Sequence, residues 1–133
     1  MSDKRHLDAR HPVASRAFAV LSFPDGAVGG TLTQTTTLSG INGVIEQIEI
    51  EISTWENGGE SATVTIASAQ DASLFSEASL ADATTHLKQA LSEKGTPDAD
   101  FNRALVDGTL TLTGVATADP GTNATITVTI FYR

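Results

Sequence analysis

The stretch Val44-Ile-Glu-Gln-Ile-Glu-Ile-Glu-Ile-Ser-Thr54 sets Ile48, Ile50 and Ile52 against Gln47, Glu49 and Glu51. Successive side chains of a β-strand point to opposite faces, so this period of two predicts a half-buried strand, isoleucines inward and carboxylates outward. The same pattern recurs along the chain. Ser61–Ala67 places Ala62, Val64 and Ile66 against Ser61, Thr63 and Thr65, and Thr109–Ala116 places Leu110, Leu112 and Ala116 against Thr109, Thr111 and Thr113. Ala124–Tyr132 places Ile126, Val128, Ile130 and Tyr132 against Thr125, Thr127, Thr129 and Phe131. Threonine suits the outer positions because its β-branch fits the pleat while its hydroxyl stays in water.

Two further segments alternate less cleanly. Ala17–Phe23 is apolar on both faces, which predicts an inner strand or one covered by a partner, and Thr31–Leu38 reads as an edge or partly wet strand. Turn residues separate these runs: Pro24-Asp25-Gly26, Gly29-Gly30, Ser39-Gly40, Asn42-Gly43, Glu56-Asn57-Gly58-Gly59, Asp107-Gly108 and Asp119-Pro120-Gly121. Such clusters supply the positive or fixed φ that tight turns need. The short links after Thr54 and after Ala116 predict hairpins. One stretch changes period. From Ser79 to Lys94, Leu80, Ala83, Leu87, Ala90 and Leu91 share a helical face, Ser79 is placed to cap it, and Gly95 with Pro97 ends it. Phe101–Val106 reads as a short turn or a strand lead-in. About six strands, one helical insertion near residues 79–94 and no βαβ alternation predict an all-β fold. The expected architecture is an antiparallel β-sandwich or jelly-roll-like domain.

The chain has 133 residues, 40% hydrophobic and 18% charged, with no cysteine and a formal net charge of −8. That length suits one domain. No apolar run reaches the roughly 18 residues of a membrane helix, and the opening Met-Ser-Asp-Lys-Arg-His has no apolar signal core. Without cysteine there is no disulfide framework or thiolate metal site. The charge is uneven. Residues 1–16 carry Lys4, Arg5, Arg10 and Arg16 against Asp3 and Asp8, a balance of +2, and the remaining 117 residues carry −10. We therefore divide the chain into a flexible basic N-terminal arm, residues 1–15, and a single sandwich domain, residues 16–133. The acidic body disfavours nucleic acid as a partner, because a polyanion is repelled. The arm is suited to dock on an acidic neighbour, such as a second copy of the same body.

Catalytic and metal-binding patterns are weak. His6 and His11 lie in the arm and His86 stands alone, so the histidines lack the three or four ligands of a zinc site. Asp98, Asp100 and Asn102 match the opening half of a calcium loop, but Arg103 stands where that loop needs glycine and Thr109 where it needs a bidentate glutamate. Glu46, Glu49, Glu51, Glu56 and Glu60 could suggest glycosidase carboxylates, yet Glu49 and Glu51 share one wet face rather than facing each other across a cleft. No G-x-S-x-G, P-loop, H-E-x-x-H or G-x-G-x-x-G string occurs, and no catalytic residue, cofactor site or metal ligand is assigned. Asn123-Ala-Thr125 matches a glycosylation acceptor but reads as the start of the last strand. Trp55, beside the Glu56–Gly59 loop, either caps the core or offers a ring to a sugar or protein partner. The candidate interaction residues are thus Lys4, Arg5, Arg10, Arg16 and Trp55.

The strand Gly43-Val-Ile-Glu-Gln-Ile-Glu-Ile, the strand Ser61-Ala-Thr-Val-Thr-Ile and the closing pair Leu105-Val-Asp-Gly-Thr-Leu-Thr-Leu-Thr-Gly and Ala124-Thr-Ile-Thr-Val-Thr-Ile-Phe-Tyr-Arg together resemble the small β-sandwich structural proteins of tailed-phage virions, chiefly head decoration or cement proteins. The resemblance implies a non-enzymatic protein, made in the host cytoplasm and residing in the virion. Its expected partners are the major capsid protein or other virion proteins and further copies of itself, as a dimer or trimer, with no nucleic acid and no membrane. The alternatives are a glycan-binding or adhesion module, a tail or baseplate structural protein and, last, a small hydrolase.

Overall fold

The structure, a computed structural model, describes residues 15–89 and 105–133. Seven strands form an antiparallel, strongly curled sheet: β1 Ser15–Ser22, β2 Thr33–Ile52, β3 Ser61–Ser68, β4 Phe75–Ala81, β5 Thr84–Gln89, β6 Leu105–Ala116 and β7 Thr125–Tyr132. A 3-10 turn at Gly29–Leu32 leads into β2. The order is β1-β7-β2-β6-β3-β4, with β5 pairing the remaining edge of β2. β2 belongs to both layers. Its first half, Thr33–Val44, pairs β6, and its second half, Ile45–Ile52, runs between β7 and β5. One layer is therefore β1, β7, late β2 and β5, and the other is early β2, β6, β3 and β4.

Thr31–Leu38 and Val44–Thr54, expected as two strands, are parts of this one strand. Ser39-Gly40 makes a bulge, not a turn: the pairing with β6 shifts between Leu38 and Ile41, Gly40 takes φ 76°, and Asn42-Gly43 pairs Asp107 and Val106 within the strand. A bulge adds twist and bend without ending the strand, which carries β2 from one layer to the other. The alternation predicted for the regular strands holds. Ile48, Ile50, Ile52, Val64, Ile66, Leu110, Leu112, Ile126, Val128 and Ile130 are all buried between the layers.

The helical insertion near residues 79–94 is corrected. Through Gln89 that segment is strand: β4 and β5 meet at Asp82-Ala83, and Ala90–Lys94 lie outside the described residues. Ser79 and Ala83 have φ of 62° and 58°, which a right-handed helix cannot contain. Leu80 is 2% exposed and Leu87 57%, so the supposed apolar helical face does not exist. Thr84, His86 and Lys88 instead fall opposite Ile52, Ile50 and Ile48, where the β-branched Thr84 and Thr85 fit the pleat. Thr84 Oγ1 donates to Ala81 O and also meets His86 Nε2 at 2.8 Å, and Lys88 Nζ reaches Glu77 Oε1 at 2.9 Å, tying β5 to β4.

Both predicted hairpins are also corrected. β3 pairs β4 and β6 rather than β2, and β7 pairs β1 and β2 rather than β6. The two links are arches that cross between layers, and they hold each other. Asn57 N–H donates to Pro120 O (3.1 Å), Asn57 Nδ2 to Asp119 O (2.9 Å), and Thr122 N–H to Glu56 Oε1 (3.1 Å). Turn chemistry reverses the chain in either case; which strand it then joins depends on where each apolar face finds cover.

Candidate functional site

Strand geometry segregates the charge. Within the layer of early β2, β6 and β3, the runs Thr33–Ile45, Ser61–Gln70 and Gly108–Ala118 contain no ionisable residue. The outward positions of that layer carry threonine in cross-strand rows. Thr35 lies opposite Thr113, which lies opposite Thr65, which lies opposite Ser76; the next row runs Thr37, Thr111 and Ala67. Hydroxyls pair across the face, Thr35 with Thr113 at 3.5 Å and Thr65 with Ser76 at 3.1 Å. Over these rows, with Val115 exposed at the margin, the face offers methyls and neutral hydroxyls; the exposed Asp107, opposite Asn42, lies further along β6. The other layer has Arg16, Glu49 and Glu51 among its outward residues, and further carboxylates occupy the loops at Asp25, Glu56, Glu60, Asp71 and Asp119.

β1 gives the other layer a different character. It lies at the end of the sheet order, with Phe18 64% and Val20 45% exposed on the outer face. The two-sided apolar pattern of Ala17–Phe23 therefore belongs to an edge strand, and the inner-strand reading is set aside. Arg16, the one basic candidate interaction residue within the described chain, is exposed opposite Phe131. Lys4, Arg5 and Arg10 lie outside the described residues, as do His6, His11 and the Asp98-x-Asp100-x-Asn102 fragment.

Trp55 is part of the core. It is 3% exposed, and its ring meets Phe23 edge-on at 5.9 Å between centroids. Of the two readings open in the sequence, the ring face offered to a sugar or partner is thereby corrected. Asp82 Oδ2 accepts the Trp55 backbone N–H at 3.2 Å, fixing the start of the loop to the β4–β5 corner. The indole Nε1 is buried and meets no acceptor among the described residues.

The five glutamates do not converge. Glu49 and Glu51 lie on the outer face of β2, Glu46 pairs Arg133 Nε at 3.3 Å, Glu56 holds Thr122, and Glu60 accepts from Thr117 Oγ1 at 2.7 Å. Two open depressions mark the surface. One, about 360 Å³, is bordered by Glu51, Ser53, Thr54, Ala83, Thr85 and Thr125, and the other, about 310 Å³, by Ser22, Phe23, Asp25, Thr122 and Asn123. Each has a single carboxylate at its rim, so neither presents an acid and a base to one bond. Among the described residues, no three histidine, aspartate or glutamate side chains gather as a metal site would require.

Fold and surface together define an all-β antiparallel sandwich with uncharged threonine rows on one face and one apolar edge. The chain matches no protein-family profile and no curated protein. Among solved structures, it is similar in fold to the T13 particle of infectious bursal disease virus, at 12% identity and a TM-score of 0.37 over 90% of this chain and 32% of the viral one. The VP2 subviral particle of the same virus gives 14% identity and a TM-score of 0.32, over 90% of this chain and 34% of that one. A CBM4 structure gives 14% identity and a TM-score of 0.36, over 95% of this chain and 83% of that one. The chain thus spans about a third of the viral chains it matches. These are distant likenesses of fold, to a viral capsid domain and to a carbohydrate-binding module alike, and they identify no family.

Proposed function

We propose that the chain is a non-enzymatic structural protein of a tailed-phage virion, a decoration protein seated on the head. The observation that carries this reading is the set of threonine rows across early β2, β6 and β3, with no ionisable residue among them, in a chain of net charge −8. Centres of protein interfaces are depleted of charge, because an ion buried without a partner carries a large desolvation cost. A broad sheet face of methyls and self-paired hydroxyls meets that condition; a catalytic cleft needs convergent titratable groups instead. The capsid subunit is the partner this face would meet, and the apolar β1 edge supplies contacts between decoration subunits. The +2 segment at residues 1–16 would add attraction to an acidic neighbour once the body is seated.

The reading is tested on virions of the phage that encodes the chain. Gradient-purified heads are expected to contain it in a copy number commensurate with the capsid subunits. Heads assembled without it should rupture at lower temperature. Its absence from purified virions overturns the reading.

A further inference from the structure

We infer that β1 joins two copies of the chain edge to edge, antiparallel about a two-fold axis through Ala19, into one sheet continuous across the pair. The inference rests on the assembly reading above and gives it a partner and a register. Three features of β1 point to it.

The first is its backbone. β1 pairs β7 in unbroken register from Ser15 to Ser22, and Phe23 N–H continues the ladder by donating to Ala124 O. In an antiparallel ladder, hydrogen-bonded and non-bonded positions alternate. The odd residues of β1 therefore face β7, and the N–H and C=O groups of Arg16, Phe18, Val20 and Ser22 face outward, where no described strand pairs with them. The second is the absence of the usual edge defences. β1 has no lysine, no proline, no bulge and no inward charge, any of which would discourage strand addition.

The third is self-complementarity, and it selects a second copy as occupant. A two-fold contact must match a surface to itself. With the axis at Ala19, Phe18 of one copy bonds opposite Val20 of the other, and Arg16 opposite Ser22. Both exposed apolar side chains are then covered twice over. Arg16 is carried opposite Ser22 at the end of the partner's strand, three residues before the exposed Asp25. Ser15–Phe23 itself holds no carboxylate, which lets two chains of net charge −8 meet there without like charges facing each other.

Sedimentation of the full chain across a concentration series is the test. The native chain is expected to run at twice its 13.8 kDa mass. Val20→Lys, at an exposed position whose N–H is not used by β7, should keep the native circular dichroism and weaken dimerisation by at least about tenfold. The register is read separately by cysteine, since the chain has none of its own. Ala19 faces its own copy across the axis as a non-bonded pair, at about 4.5 Å between Cα atoms and within disulfide reach. Ala19→Cys should therefore cross-link on oxidation, and Ser22→Cys, remote from its own copy, should not. A monomer at every concentration, a dimer indifferent to Val20→Lys, or cross-linking of Ser22→Cys in place of Ala19→Cys overturns the inference. A chain that is monomeric and still mounts on virions refutes the pairing alone; a dimer absent from virions refutes the decoration role alone.

Discussion

Alanine at position 43 is expected to cost the sandwich roughly 2–5 kcal/mol, from a strained backbone and an overpacked contact together. Gly43 takes φ 147°, a conformation that L side chains rarely adopt, and a Cβ there would lie 2.4 Å from Arg133 O and 2.9 Å from Arg133 C. Those are backbone atoms, so no rotamer change relieves the contact. The clash also falls beside two hydrogen bonds, Val44 N–H to Arg133 O at 2.9 Å and Arg133 N–H to Val44 O at 3.0 Å. They close the residues after β7 onto the bulged middle of β2, where β2 changes layers. Loss of that closure should loosen the sheet at the point both layers share. Urea unfolding measures it: Gly43→Ala should move the midpoint far down, and Gly58→Ala, with nothing within 4 Å of the added atom, should leave it nearly unchanged. Equal midpoints for the two variants would contradict the role given to Gly43.

The second large effect is at Trp55. Truncation to alanine empties a buried site and should cost about 3–5 kcal/mol. Phenylalanine should do far better, within about 2 kcal/mol of the native chain. It keeps an aromatic ring where the edge-on contact with Phe23 can form, and it removes an indole N–H that has no acceptor among the described residues. Desolvating such a donor costs about 1–3 kcal/mol, which offsets part of the lost apolar area. Unfolding followed by circular dichroism compares all three chains, since the only tryptophan is the residue replaced. Binding to glycans lost on Trp55→Ala with stability unchanged would contradict the core assignment.

The strands that were legible in the sequence are those buried on one face. Ile48, Ile50 and Ile52, or Ile126, Val128 and Ile130, alternate because the layers cover one side and water the other. Legibility failed where local signals serve two structures. Gly40 marks positive φ equally well in a turn and in a bulge, Gly43 equally well in a turn and inside a paired strand, and only the long pairing with β6 and β7 makes β2 one strand. Leu80, Ala83 and Leu87 fit a helical period by coincidence. The left-handed backbone at Ser79 and Ala83 and the partner offered by late β2 favour strands instead. An arch and a hairpin have links of the same length, because link length fixes reversal and not sheet membership. For the site, threonine on outward positions was evident from the alternation. Its assembly into one uncharged face was not, since Thr35, Thr113 and Thr65 are brought together only by sheet order. Phe18 and Val20 give β1 a two-sided apolar pattern that an inner strand, a partner-covered strand and an exposed edge all share.

In the proposed decoration role, the threonine face is the surface that would meet the capsid. Thr113 lies in its middle row, between Thr35 and Thr65. The deciding measurement is the occupancy of purified chain re-added to heads assembled without it, comparing native, Thr113→Val and Thr113→Glu proteins of matched circular dichroism. Native chain and the uncharged valine variant are predicted to saturate the heads, and the glutamate variant, which buries an unpaired charge, to lose at least about tenfold in affinity. Glutamate binding as tightly as native, or no binding by the native chain, would contradict it.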